Sequence, residues 1–322
     1  MHRLIPALSL IVGCLVGGVV QAQPYPDRPM RMIVPTPAGG PIDTMARLLG
    51  NAIAPSLGQA VVIDNRGGAG NTLGSRDAAH AEPDGYTLLF SSASGLVISP
   101  MLYKSLDYDP VTSFAPIALV SDSPILLVVN PAVPAHSVAE LVAYAKANPG
   151  KVNFSSGGVG TIPHLTGELF RAKAGINAVH VPYRGGGPSI ADVVGGQIQF
   201  TFEGMNVLLP LVRDGKLRAL AITARERSAQ LPDVPTMVES GFPDVVASSW
   251  TALLAPVATP PAIVSKLNAA TNAALMSDEM NAARAKVVAD PLGGSSQDLA
   301  ARMAADRQRW GAIIRQAGIS VD

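Results

Sequence analysis

The chain has 322 residues, with 24 Lys plus Arg against 24 Asp plus Glu, five histidines and one cysteine. So even a balance excludes nucleic acid and anionic membrane surfaces as partners, because no strongly basic field is available to hold them. Hydrophobic residues make up 48% with no polar tract between them, so the length reads as two domains, each able to bury a core.

Residues 1–22 differ from everything that follows. Met1, His2 and Arg3 give a short cationic start, Leu4 to Val20 is apolar and uncharged, and Val20-Gln21-Ala22 offers a cleavage position. That is the pattern of a secretory leader. The apolar run of about 17 residues sits at the lower limit for a membrane span, and Gln23-Pro24-Tyr25-Pro26 brings no cationic stop. Ile11-Val12-Gly13-Cys14 also has the form of a lipobox, although the residues after Cys14 stay apolar where a lipidated cysteine needs a polar tether. Release of the leader removes Arg3 and Cys14, so the exported chain has 23 basic residues and no cysteine. Its stability then rests on packing and not on disulfides.

Short β-branched runs alternate with stretches of helical period, which predicts an α/β fold with mainly parallel sheets. The strands are expected at Arg31 to Val34, Val61 to Ile63, Tyr86 to Phe90, Ile125 to Val129, Val152 to Ser155, Ala178 to Val181, Ile198 to Phe202 and Leu217 to Thr223. Ser137 with Glu140 forms a capping box ahead of Val138, Leu141, Val142 and Ala145, and Asn148-Pro149-Gly150 stops that helix. Pro261 opens another helix, carrying Ile263, Val264, Leu267 and Leu275. Leu299, Met303, Trp310, Ile313 and Ile314 give a last one ending near Gly318. Two extended segments, Ala115 to Asp122 and Val245 to Ala255, are placed to carry the chain out of one lobe and back, and such a double crossing makes a hinge.

Four glycine-bearing loops lie between a strand and a helix: Thr36 to Pro41, Gly67 to Asn71, Ser156 to Thr161, and Arg184 to Pro188 ahead of a helix from Ser189. The first N–H groups of a helix lack intrahelical partners, and the helix dipole adds about half a positive charge there. Glycine brings that backbone close to a ligand, so such a loop is a ready anion site. A single loop of this kind is usually plain turn chemistry; four repeated ones point to an anion enclosed between two lobes. None matches a nucleotide fingerprint, since Gly68, Gly70 and Gly74 are one residue off the dinucleotide spacing and no G-x-x-x-x-G-K-[ST] occurs.

Enzyme signatures are absent. His80, His136, His164 and His180 are scattered without metal spacing, and there is no G-x-S-x-G elbow. His164, in the first turn after the Ser156 loop, either faces the cleft or packs its helix. Tyr183 either walls a pocket or packs under its loop, Arg184 reads as a solvated charge, and Glu203 at a strand end either meets a ligand ammonium or hydroxyl or caps a helix. A hydrolase would have to use Ser156 with His164.

Ordered motifs along the whole exported chain resemble the Bug-type substrate-binding proteins of tripartite tricarboxylate transporters. They are Val34-Pro35 with Ala38-Gly39-Gly40 and Asp43, Asn65-Arg66 with Gly68-Ala69-Gly70, Pro83 to Leu89, His164-Leu165 with Gly167 to Phe170, His180 to Gly185, Gly215 to Leu220, and Leu231 to Thr236. The resemblance implies a periplasmic Venus-flytrap that binds a small carboxylate through backbone N–H groups and bridging waters and, in some members, delivers it to a membrane permease. A sensor that docks onto a membrane receptor is the rival reading, and the chain is expected to be a monomer. The resemblance also implies one lobe from residues 23–121 plus 249–322 and another from 122–248. The expected ligand shell is Thr36, Ala38, Gly39, Gly40, Asp43, Gly70, Asn71, Ser92, Ser156, Gly157, Thr161, His164, Tyr183 and Glu203, with no catalytic residue, metal or cofactor. Thr36, Gly67, the Gly95-Leu96 pair and the Glu203-Gly204 pair depart from the family pattern and so bear on which carboxylate fits.

Overall fold

In the computed structural model, residues 25–68, 71–103, 106–278, 280–282 and 290–320 are described. The leader with Cys14, and Ala69 and Gly70 of the second glycine loop, lie outside them. The first half opens with β1 (Met30–Val34), α1 (Pro41–Leu57), β2 (Val61–Asn65), α2 (Thr72–Ala79) and β3 (Thr87–Ser92). β1 is the middle strand, parallel to both neighbours. A π-helical turn (Ser94–Ile98) and α3 (Ser99–Leu102) follow, then the long β4 (Phe114–Val129) and α4 (Val138–Ala147).

The second half repeats the arrangement. β5 (Val152–Ser156), α5 (Ile162–Ala174), β6 (Ala178–Pro182), α6 (Gly186–Val194) and β7 (Phe200–Gly204) again place the first strand in the middle, parallel to both neighbours. The chain continues through α7 (Met205–Arg213), β8 (Arg218–Ile222), β9 (Ser248–Pro256), α8 (Pro261–Leu275), β10 (Asp290–Gly293) and α9 (Ser296–Ala317). All eight expected strands form. The strand order 2-1-3 within each half matters, because in open α/β sheets ligands bind beyond the carboxyl ends of strands where the winding reverses.

β4 and β9 join the two sheets. They pair antiparallel from Phe114 opposite Pro256 to Pro124 opposite Ser248, with register irregularities between Pro116 and Ala118 and between Leu119 and Ser121. β9 also pairs with β3, while the far half of β4 pairs with β7 and β8. The two extended segments expected as crossings are thus one hydrogen-bonded ribbon.

Local chemistry explains the helix ends. Ser137 Oγ accepts the Glu140 N–H at 3.2 Å, as the capping box predicts, but the Glu140 carboxylate reaches the His136 N–H at 2.7 Å, one residue before the cap. Ser295 and Asp298 make a complete capping box ahead of α9, which ends at a left-handed Gly318. The fourth glycine loop is shorter than expected: α6 begins at Gly186, so Gly186, Gly187 and Pro188 form its first turn. Proline's missing N–H costs nothing there. α7 was not anticipated, because Pro210 in its interior masks the period.

Two apolar clusters are confined to one half each, one around Met32, Leu49, Phe90 and Leu253, the other around Leu126, Leu208 and Ile222. The third runs through both, from Ile33 and Leu89 past Trp250 and Trp310 to Phe154, Leu165 and Phe202. Each half thus buries a cluster of its own, and a third cluster is shared between them. Among the described residues no helix is long and apolar enough to cross a membrane.

Candidate functional site

A cavity of about 560 Å³ lies between the two halves, at the carboxyl ends of β1, β3, β5 and β7. The first half supplies Ile42 and Met45 from the start of α1 and Ser92, Ala93 and Ser94 from the turn after β3. The second supplies Gly157 and the Thr161-Ile162-Pro163 start of α5, Gly186, Gly187 and Ile190 of α6, and Glu203, Gly204, Asn206 and Val207 around the start of α7. The β4–β9 ribbon floors it with Ser121, Ser123, Ser249, Trp250 and Thr251. Ser121 and Thr251 stand opposite each other in the ribbon and share a hydrogen bond of 2.7 Å.

The floor and walls are rich in hydroxyls and helix N-termini, and among the described residues no Lys or Arg lines them. The first N–H groups of α1, α5, α6 and α7 have no intrahelical partners, so these ends direct donors and partial positive charge at the cavity. An anion is the complement of such a lining. Among the described residues no group of three His, Cys, Asp or Glu side chains is placed to hold a metal.

Of the expected ligand shell, Ser92, Gly157, Thr161 and Glu203 line the cavity. The other described residues of that shell do not. Thr36, Ala38, Gly39 and Gly40 form the turn before α1, and Asp43 fixes that turn: its Oδ2 accepts the Gly39 N–H at 2.8 Å and Arg47 Nε at 3.1 Å. Arg47 holds the buried Asp43 carboxyl below its ordinary range. Arg47 also donates to Asn65 Oδ1, and Asn65 Nδ2 donates to the Thr36 carbonyl, which ties the end of β2 to the turn. Asn71 is the N-cap of α2 in the left-handed region, at φ 74°, and its Cβ lies 3.2 Å from where a Cβ on Gly95 would be, in the turn after β3. Gly70 lies outside the described residues.

The loop after β5 is stapled from within. Ser156 is buried, and its Oγ lies 2.7 Å from His180 Nε2, not against His164 as a hydrolase would require. His164 Nδ1 instead accepts the Gly160 N–H at 3.1 Å, while its ring stacks on His180 with centroids 3.8 Å apart. Burial first, then neighbouring charge, lowers His164 to about 3 and His180 to about 4, so both rings are neutral. A neutral imidazole is what allows Nδ1 to act as an acceptor. Tyr183 donates to Asp192 in α6, a bond that raises its hydroxyl to about 12, and it packs in the β4–α7 cluster without walling the cavity.

Gly157 shows why this loop is glycine-rich. A Cβ there would lie 2.9 Å from the Gly186 nitrogen and 3.1 Å from the Gly185 carbonyl carbon, and the Gly185 N–H donates to the Gly157 carbonyl at 3.0 Å. Gly157→Ala should therefore cost about 1–3 kcal/mol, because two backbones must part. Urea unfolding checks this; an unchanged midpoint would mean that the loops separate freely.

The family positions that departed from the pattern are mostly structural. A Cβ on Gly67 would meet Pro37 at 3.0 Å, one on Gly95 would meet Ser91 Oγ at 2.8 Å, and Leu96 is buried. Glu203 is the exception. It ends β7 inside the cavity, its Oε1 accepting the Gly204 N–H at 3.0 Å, and burial lifts its carboxyl to about 7 against that one donor. Sequence reasoning reached the turns after β3 and β7 only through Ser92 and Glu203, without Ala93, Ser94, Asn206 or Val207, and it missed the ribbon floor because hydroxyls in a strand give no signal. The 2-1-3 strand order was the available clue.

The chain is similar to known proteins over nearly its whole length. Protein BugT of Bordetella pertussis is 39% identical over 320 residues, covering 99% of this chain and 98% of that protein. The structure of R. palustris Rpa4515 with adipate is 33% identical with a TM-score of 0.82, covering 92% of this chain and 99% of that one. MatC from Rhodopseudomonas palustris with bound malate is 32% identical with a TM-score of 0.78, covering 90% and 100%. With residues 45–319 matching it, this chain belongs to the tripartite tricarboxylate transporter receptor family.

Proposed function

We propose that this protein captures a small carboxylate-bearing solute in the cavity between its halves and delivers it to the membrane permease of a tripartite tricarboxylate-type transporter. The observation that carries this reading is a 560 Å³ cavity ringed by helix N-termini and hydroxyls, with no cationic side chain among the described residues of its lining. Adipate and malate, held by two relatives of the same fold, are solutes of this class. Thr161, Gly157 and Ser92 are the first contacts in this reading. Thr36, Ala38, Gly39, Gly40, Asn71, Asp43, Ser156 and His164 shape the loops around them, and Gly70, of the same loop in sequence as Asn71, is a further contact.

In the same reading, residues 23–121 with 249–322 form one lobe, 122–248 form the other, and the β4–β9 ribbon is the hinge. The leader of residues 1–22 takes the chain to the periplasm, where it works as a monomer and without catalysis. Ser156, buried and spent on its own loop, offers no nucleophile. Thermal unfolding across a panel of mono-, di- and tricarboxylates tests the reading. A true ligand raises stability by RT ln(1 + [L]/Kd), about 2.7 kcal/mol at a hundredfold excess over Kd. If no carboxylate moves the midpoint at millimolar concentration, the proposal fails.

A further inference from the structure

The cavity is electrically one-sided. Helix N-termini supply donors around it, yet among the described residues the one charged side chain in the lining is the carboxylate of Glu203. An ionised carboxylate offers about four acceptor sites. Here Oε1 takes a single N–H, from Gly204, and Oε2 stands 3.1 Å from where a Cβ on Gly186 would be, with no hydrogen-bond partner among the described residues. Glu203 thus already occupies the approach to the first turn of α6. A ligand carboxylate directed there would meet a like charge, so the starts of α1 and α5 remain for it. Ile42, Met45, Ile190, Val207 and Trp250 make the rest of the lining largely apolar.

Resting on the carboxylate reading above, we propose that the captured solute also bears a protonated amine, which pairs with Glu203 while its carboxylate takes the helix N-termini. A hydroxyl would satisfy one lone pair but leave the charge unanswered; an ammonium does both. Nothing around Glu203 competes for that role. Leu126 faces it from β4, α6 brings Gly186, Gly187 and Ile190, and α7 brings Asn206 and Val207, none of which titrates. Asp192 of α6 is held by Tyr183, and Glu168 of α5 by Arg171.

Burial keeps Glu203 partly protonated near neutrality. An ammonium must displace that proton, so its affinity rises with pH through about 7. A second carboxylate would need the proton, so its affinity would rise as the pH falls.

The test is calorimetric titration of the exported chain with four probes, adipate, caproate, ε-aminocaproate and leucine, at pH 6 and pH 8. The first three have matched chain length and differ in one end group; leucine moves the amine beside the carboxylate. An amine-bearing probe is expected to bind at least about tenfold tighter than caproate at pH 8, the gap narrowing at pH 6. Glu203→Gln should abolish the gap and its pH dependence. Adipate or caproate binding as tightly as both amines overturns the amine proposal alone, as does a gap that survives Glu203→Gln. Failure of all four probes overturns the amine proposal, and the carboxylate reading falls with it only when the wider carboxylate panel also leaves the unfolding midpoint unmoved. The comparison within the unsubstituted protein holds whether or not the variant folds.

Discussion

Replacing Trp250 with Ala is expected to remove about 3–5 kcal/mol of stability, a large share of the roughly 5–15 kcal/mol that a folded chain possesses. The side chain is fully buried in β9 and belongs to the cluster that runs through both halves. Its Nε1 donates to Asp306 Oδ2 in α9 at 2.6 Å, so truncation opens a void and strips a buried carboxylate of one donor. Arg302, which reaches the same oxygen at 3.1 Å, limits the electrostatic part of the loss. Trp250→Phe retains most of the apolar area and should cost about 1–2 kcal/mol, the value of the lost hydrogen bond. Urea denaturation of the two variants separates these contributions. Equal midpoints for Trp250→Ala and the parent would contradict the packing described.

Acid should destabilise the protein from about pH 6.5 downward, well above the ordinary carboxylate range. His164 and His180 have folded pKa values near 3 and 4 against about 6.5 in an unfolded chain. Below about pH 6.5 the unfolded chain therefore takes up protons that the folded one refuses. Their stabilisation is complete above that pH and is lost as the pH falls. Glu203 works in the opposite sense: raised to about 7, it takes up its proton in the folded state first and favours folding as the pH falls through 7. Two imidazoles against one carboxyl leave a net loss of about 1.4 kcal/mol per pH unit between roughly pH 6.5 and 5. Asn in place of His164 keeps an acceptor within reach of Gly160 and should bring the slope near zero, whereas Glu203→Gln should double it. Urea midpoints at several pH values read all three slopes, and identical slopes would refute the assignment of neutral rings.

The strands were legible because each is a short β-branched run closed by turn residues, and the helices with Ser137, Pro261 and Gly318 at their ends announced their own limits. α7 was hidden by Pro210, and the π-helical turn by its position directly after β3. For the site, glycine runs marked loops correctly but did not separate a glycine that faces a ligand from one required by packing. Gly157 lines the cavity, and Gly67 only admits Pro37. Asp43 and His164 looked like ligand groups because they are polar residues beside such loops. Their partners, Arg47 and the Gly160 N–H, are contacts that spacing along the chain cannot express. Ser121, Ser249 and Thr251 illustrate the reverse failure: ordinary strand residues become a cavity floor only once two distant strands pair.

That pairing has a thermodynamic consequence. Two independent linkers would leave the halves free to tumble, and a solute drawing them together would have to remove that configurational entropy. A paired ribbon lets the halves turn mainly by twisting along its own axis, with the inter-strand bonds intact, so few arrangements are open to begin with. Most of the free energy of solute contact then appears as affinity. The shifts in register between Pro116 and Ala118 and between Leu119 and Ser121 are where that ribbon departs from a regular ladder.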